Sequence, residues 1–254
     1  MTLKRINTVI VKEWREAFKG GKTFWIGTVA LPLVLLGVSF FPFLYAGDLR
    51  GISTEETKEL FEKVSMLFLT PLLFFLMFPM VIPHSIAIYA IMSEKEQKSL
   101  EPLLATPLRT DELFLAKTLA SVLPALAITW IAFGLFLAVM QFLLPSTVLE
   151  LAWQQFGSIW LMTLLLFAPL AATFMTLASM AIATRVSDLR TAQLLSSFAM
   201  LPILMSAFFL IFQNLLDKPA LLGGLCAALL VLDIALLGLN VKLFRREEIL
   251  TRWR

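Results

Sequence analysis

The stretch Ser93–Lys117, S-E-K-E-Q-K-S-L-E-P-L-L-A-T-P-L-R-T-D-E-L-F-L-A-K, is a dense charged interval between two long apolar runs. Ser99 is placed to cap a short helix. Leu100, Leu103 and Leu104 then share one face at i, i+3 and i+4. Glu101 falls in the first turn, where a negative charge suits the helix dipole. Pro102 also falls there, where a missing N–H costs little. Thr106 precedes Pro107, which pushes it out of helical geometry and ends the element. Thr110 caps the next helix, with Asp111 and Glu112 in its first turn. A rival capping pattern, Ser93-x-x-Glu96, falls where the preceding apolar run is still helical. A helix of under two turns is unstable alone in water. It needs the lipid interface or a partner surface, so it is either a plain connection or a leucine-bearing knob for a soluble partner to grip.

Working outward, the chain of 254 residues is 59% hydrophobic and 15% charged, against about 25% charged in a soluble domain. That composition predicts an all-α integral membrane protein. Cys226 is the single cysteine and His84 the single histidine. An intrachain disulfide, a cysteine-based metal site and a multi-histidine metal site are therefore excluded within one chain. No N-x-S/T acceptor occurs. No metal or cofactor site is expected on this chain, and no nucleic-acid partner.

Six apolar runs, at about 24–46, 66–92, 118–142, 158–183, 194–216 and 221–243, each approach the roughly 20 residues that cross about 30 Å of hydrocarbon. The spans contain Pro32, Pro42, Pro71, Pro79, Pro83, Pro124, Pro169 and Pro202, tolerated where neighbours satisfy the freed carbonyls. The second span, with three, is expected to bend. Before them, Leu3–Lys19 repeats apolar residues (Leu3, Ile6, Ile10, Trp14, Phe18) at helical spacing, with a basic polar face. It reads as an interfacial helix. The interleaved charges argue against a secretory signal. Gly20-Gly21-Lys22-Thr23 resembles the tail of a phosphate loop, but Glu16 stands where the first glycine belongs and no strand precedes it. It reads as a helix stop.

Of the 21 Lys and Arg residues, only Arg50, Lys58, Lys63 and Lys218 fall outside if the N-terminus is inside. The positive-inside rule then puts both termini and Ser93–Lys117 in the cytoplasm. The first outer loop is acidic, and Ser53-x-x-Glu56 there is a capping box leading into the second span. The organisation expected is one domain over 1–254: an interfacial helix at 1–23, six spans over 24–243, the central loop at 93–117 and a basic tail at 244–254.

These residues resemble a family. The central stretch is similar to the signature of type-2 (ABC-2) permease subunits of ATP-binding-cassette transporters, roughly E-R-E-x-G-[ST]-L-E-x-L-L-x-T-P-x-x-x-x-E-[LI]-x-x-x-K. The matching positions are Glu94, Glu96, Ser99, Leu100, Glu101, Leu103, Leu104, Thr106, Pro107, Glu112, Leu113 and Lys117. Lys98 stands where the family often has glycine. The amphipathic N-terminus, six spans and basic tail extend the resemblance over nearly the whole chain. It implies a pair of permease copies bound to two separate ATPase subunits, which carry ATP and Mg, so this chain is not itself an enzyme. The segment around Ser99–Ala105 would be the coupling helix, with Glu94, Glu96, Ser99, Leu100, Glu101, Leu103, Leu104, Thr106 and Pro107 as the ATPase-coupling residues and the N-terminal helix beside it. The loop bearing Arg185, Asp188 and Arg190 reads equally as a second contact or a solvated anchor. Export across a bacterial or archaeal cell membrane is the implied activity, its substrate (drug, lipid, peptide or ion) unassigned.

Inside the spans, Asp233 is the conspicuous polar residue. A central carboxylate costs roughly 2.5–3.5 kcal/mol on insertion scales. It is read as a hydrogen-bonded structural group or as a transport residue, with His84 the one titratable candidate partner. Gly223-x-x-x-Ala227, Gly224-x-x-x-Ala228 and Ala168-x-x-x-Ala172 predict close helix packing. The alternative class is a stand-alone ion- or proton-coupled secondary transporter using Asp233. A membrane-embedded enzyme has no residue cluster in its favour.

Overall fold

The computed structural model describes residues 2–19, 68–96, 110–212 and 219–243, together with 30, 33, 34, 36–38 and 40. The helices are α1 (Thr2–Lys19), α2 (Leu69–Glu96), α3 (Thr110–Leu143), α4 (Ser146–Met162), α5 (Ala168–Arg185), α6 (Leu189–Phe212) and α7 (Pro219–Leu243). A π-helical segment, Thr163–Phe167, joins α4 to α5. No strand occurs among the described residues.

Helices α3, α6 and α7 are apolar on both their buried and their exposed faces. Ile131, Leu135 and Phe142 of α3, Leu194, Phe198 and Met205 of α6, and Val231 and Ile234 of α7 all point outward. A helix apolar all round belongs in lipid. Among the described residues, five helical stretches are long and apolar enough to cross a membrane: Pro71–Glu96, Phe114–Leu143, Ser146–Arg185, Leu189–Phe209 and Ala220–Val241. The chain is thus a multi-pass membrane protein. The first apolar run, 24–46, lies mostly outside the described residues. Its described residues 33, 34, 36–38 and 40 are helical, and Phe40 stacks on Phe136 of α3 with ring centroids 5.5 Å apart.

Helices α2 and α5 form the centre. Ala168, Ala171 and Ala172 are fully buried, so the small-residue face read there lets neighbouring backbones approach. Phe75 of α2 meets Phe133 and Phe136 of α3 edge-on, with centroids 5.2 and 5.5 Å apart. Trp160 of α4 closes the cluster against both phenylalanines. Such pairs contribute about 0.5–1.5 kcal/mol each beyond their buried area. Helices α6 and α7 are peripheral, with 22% of the apolar stretch of each buried.

Two expectations are corrected. The connection read between 142 and 158 is almost entirely helical: Leu144 and Pro145 alone separate α3 from α4. Pro145 cannot continue α3 but opens α4, accepting from the N–H groups of Val148 and Leu149. The small face of α7 is only partly packed among the described residues: Gly223 is half-buried, and a Cβ on it would come within 3.9 Å of Met162. Gly224, Ala227 and Ala228 are exposed, and a Cβ on Gly224 would meet nothing within 4 Å.

The prolines explain local geometry. Pro169 lacks the N–H that would continue the ladder, and the helix widens before it, the Ala168 N–H reaching back to the Thr163 carbonyl. In that π register Pro169 leaves the Leu164 carbonyl unpaired, and the Trp130 indole N–H of α3 donates to it at 3.2 Å.

Candidate functional site

Helix α1 docks where the sequence of α3 makes room for it. Ala116 and Ala120, one turn apart and both buried, form a shallow seat for Ile10 of α1. Pro124 removes the N–H that would bond the Ala120 carbonyl four residues back. The Trp14 indole N–H supplies the missing donor, at 2.9 Å. Glu13 lies one helical turn from Ile10, so it faces the same joint.

At that joint the charges converge. Lys117 Nζ of α3 donates to Glu13 Oε1 of α1 and to Glu94 Oε1 of α2, both at 2.8 Å. The three side chains are only 2%, 4% and 2% exposed. Lys12, on the outer rim of α1, approaches Glu94 Oε1 at 3.6 Å. Two cations balance two anions, which makes burial tolerable where a lone charge would not be. One lysine thereby ties three helices together at the ends of α2 and α3 that flank residues 97–109.

The neighbouring residue ties the same end of α2 to α5. Lys95 Nζ donates to the carbonyls of Ala183, Thr184 and Val186, at 2.6, 2.9 and 2.8 Å. These are carbonyls that the end of α5 leaves without helical donors, and a cation there also suits the helix dipole. Consecutive residues Glu94 and Lys95 therefore reach in different directions, to α1 and α3 on one side and to α5 on the other.

Other sequence-read residues fall as follows. Glu96 is the exposed last residue of α2. Ser93 is not a cap; the helix runs past it and its hydroxyl donates to the Ala90 carbonyl. Ser99, Leu100, Glu101, Leu103, Leu104, Thr106 and Pro107 lie outside the described residues, as do Gly20-Gly21, Ser53-x-x-Glu56 and the tail at 244–254. Arg185, Asp188 and Arg190 are exposed. Asp188 caps α6, accepting from the backbone N–H and the hydroxyl of Thr191, both at 3.0 Å. Those two bonds hold its carboxyl below the ordinary carboxylate range.

His84 and Asp233 are not partners. His84 Nδ1 lies 3.1 Å from the Ser179 hydroxyl of α5. Asp233 Oδ2 of α7 accepts from the Thr173 hydroxyl of α5 at 2.7 Å. Asn240, two turns further along α7, donates to the Leu177 carbonyl at 3.0 Å. Each is an interhelical bond onto α5, which favours the structural reading of both residues. Asp233 Oδ1 has no partner among the described residues.

Glu13, Lys12, Trp14 and Lys95 are the site residues that sequence reading missed. Glu13 and Lys12 look like ordinary members of an amphipathic polar face. The available signal was Lys117, a charge just inside an apolar run that must find a partner.

A bundle of apolar helices, with an amphipathic helix clamped across the charged ends of two of them, defines a multi-pass membrane protein. Residues 7–247 match the family model of the ABC-2 family transporter protein, and the chain belongs to that family. Membership makes it an ABC transporter permease and implies pairing with an ABC ATPase subunit. Neither a curated protein nor a solved structure matches the chain.

Proposed function

We propose that this chain couples ATP hydrolysis on a separate ATPase subunit to export of a substrate through a permease dimer. The observation that carries the reading is the buried Lys117–Glu13–Glu94 cluster. It joins α1, α2 and α3 beside residues 97–109, where Leu100, Leu103 and Leu104 would form the coupling helix. A rigid joint is what force applied to that short element needs, because a knob on a loose stalk would move without moving the spans.

In this reading 24–46 is the first of six spans, and α1 lies along the cytoplasmic interface. Both termini and the 97–109 and 186–188 connections face the cytoplasm, where the ATPase binds ATP and Mg. Lys95 makes the two connections move together. A second copy of this chain completes the permease and meets lipid around its rim. The rival, a stand-alone transporter driven through Asp233, has a single buried carboxylate in its favour, and Thr173 already engages it.

The test is co-purification and transport with a candidate ATPase subunit. Leu100→Asp and Leu104→Asp are expected to abolish stoichiometric capture while the permease stays folded. Full transport by the chain in vesicles without any ATPase would overturn the proposal.

A further inference from the structure

At the end of the bundle away from Lys117, the turn at Leu144–Pro145 folds α4 back beside α3 and leaves a groove of about 460 Å³. Leu137 and Gln141 of α3 and Leu149, Glu150, Trp153 and Gln154 of α4 line it. Its volume falls in the roughly 300–1,000 Å³ range of small-molecule sites. At about 1.5 Å per residue, Gln141 stands roughly 36 Å along α3 from Lys117. That is beyond about 30 Å of hydrocarbon, so the groove sits at the opposite membrane interface.

Its polar wall is built, not incidental. Glu150, Trp153 and Gln154 share one face of α4 at i, i+3 and i+4. Trp153 is 45% exposed, yet its ring is seated. Gly157 lies beneath it, where a Cβ would come within 3.2 Å of the indole. Trp160, buried in the aromatic cluster, meets it at 6.0 Å between centroids. Among the described residues that line the groove, Glu150 is the one that is charged. An indole face beside a carboxylate attracts a cation, most strongly a poorly hydrated organic one. Leu137 and Leu149 offer that cation's apolar body a surface away from water.

The geometry points to this groove as a binding site for an amphipathic organic cation, with the cationic centre between Glu150 and Trp153 and the apolar part along Leu137 and Leu149. An amine-bearing lipid headgroup and a free cationic amphiphile share this chemistry. The assignment concerns binding and stands apart from ATPase coupling.

The experiment is equilibrium binding of tetraphenylphosphonium to the full chain in nanodiscs of a neutral, amine-free glycolipid. Tetraphenylborate, of the same shape and opposite charge, is the control. Saturable binding of the cation is expected, weakened at least tenfold in Glu150→Gln and in Trp153→Leu. Gly157→Ala, which pushes on the indole without touching the groove's charge, is expected to weaken it several-fold. Competition by added phosphatidylcholine identifies a lipid headgroup as the occupant; its absence identifies a free amphiphile. Equal binding of tetraphenylborate, or unchanged affinity in Glu150→Gln with wild-type thermal stability, overturns the assignment.

Discussion

Lys117 holds two carboxylates with one ammonium, and each of the three groups is almost wholly removed from solvent. Lys117→Met would leave Glu13 and Glu94 facing each other with only Lys12, at the rim, to offset them. Breaking a buried pair from one side costs about 3–5 kcal/mol, so a lower unfolding temperature in detergent is expected. Glu13→Gln in the same background should recover part of that loss by removing one stranded charge. A double-mutant cycle reads the coupling directly, and a strictly additive result would mean that the two groups do not interact. Trp14 permits a second cycle. Trp14→Phe keeps an aromatic ring but removes the indole N–H and strands the Ala120 carbonyl, at a cost of about 1–3 kcal/mol. Pro124→Ala returns an N–H to that carbonyl, so the double variant should be more stable than Trp14→Phe alone.

Among the elements, α6 depends on its first turn. Asp188 caps it from a fully exposed position, and its carboxyl lies below the ordinary range because Thr191 donates two bonds to it. A depressed folded-state value means the cap contributes above the unfolded value of about 3.9. The contribution fades as pH falls through the lower folded value. Hydrogen exchange at the amides of the first turn of α6 is therefore expected to quicken in Asp188→Ala at neutral pH, with the far end of α6 unaffected. Uniform exchange along the helix in both proteins would contradict the cap. The elements were unequally legible in the sequence. The spans announce themselves because a run of apolar residues has few alternatives. Helix α4 does not, because Ser146, Glu150, Gln154 and Gln155 dilute its apolar character to that of an outer loop. Pro124 and Pro169 are visible as helix disturbances, but nothing local says that Trp14 and Trp130, distant in sequence, answer them. The charged partners of Lys117 were hidden likewise: Glu13 is separated from it by more than a hundred positions.

For the whole molecule, the uneven distribution of Lys and Arg predicts which ends face the cytoplasm, and accessibility can test it. Cys226 is the single cysteine and is buried, so a Cys226→Ser background accepts one reporter thiol at a time. A cysteine at exposed Glu96 or Arg190 should react with a membrane-impermeant maleimide only after cells are opened. One at exposed Gln141 should react in intact cells. The reverse pattern would invert the topology and remove the ATPase from the side on which residues 97–109 lie.

Donors lent across helix boundaries have a further mechanical implication. A carbonyl orphaned by proline and served by an indole from next door cannot lose that neighbour without being stranded in oil. Trp14 on Ala120, Lys117 on its two carboxylates and Lys95 on the tail of α5 together weld the charged ends into a single lever. In the coupling mechanism proposed above, the swing would be absorbed further along, with the over-wide turn at Thr163–Phe167, where the backbone ladder is already out of step, as its fulcrum.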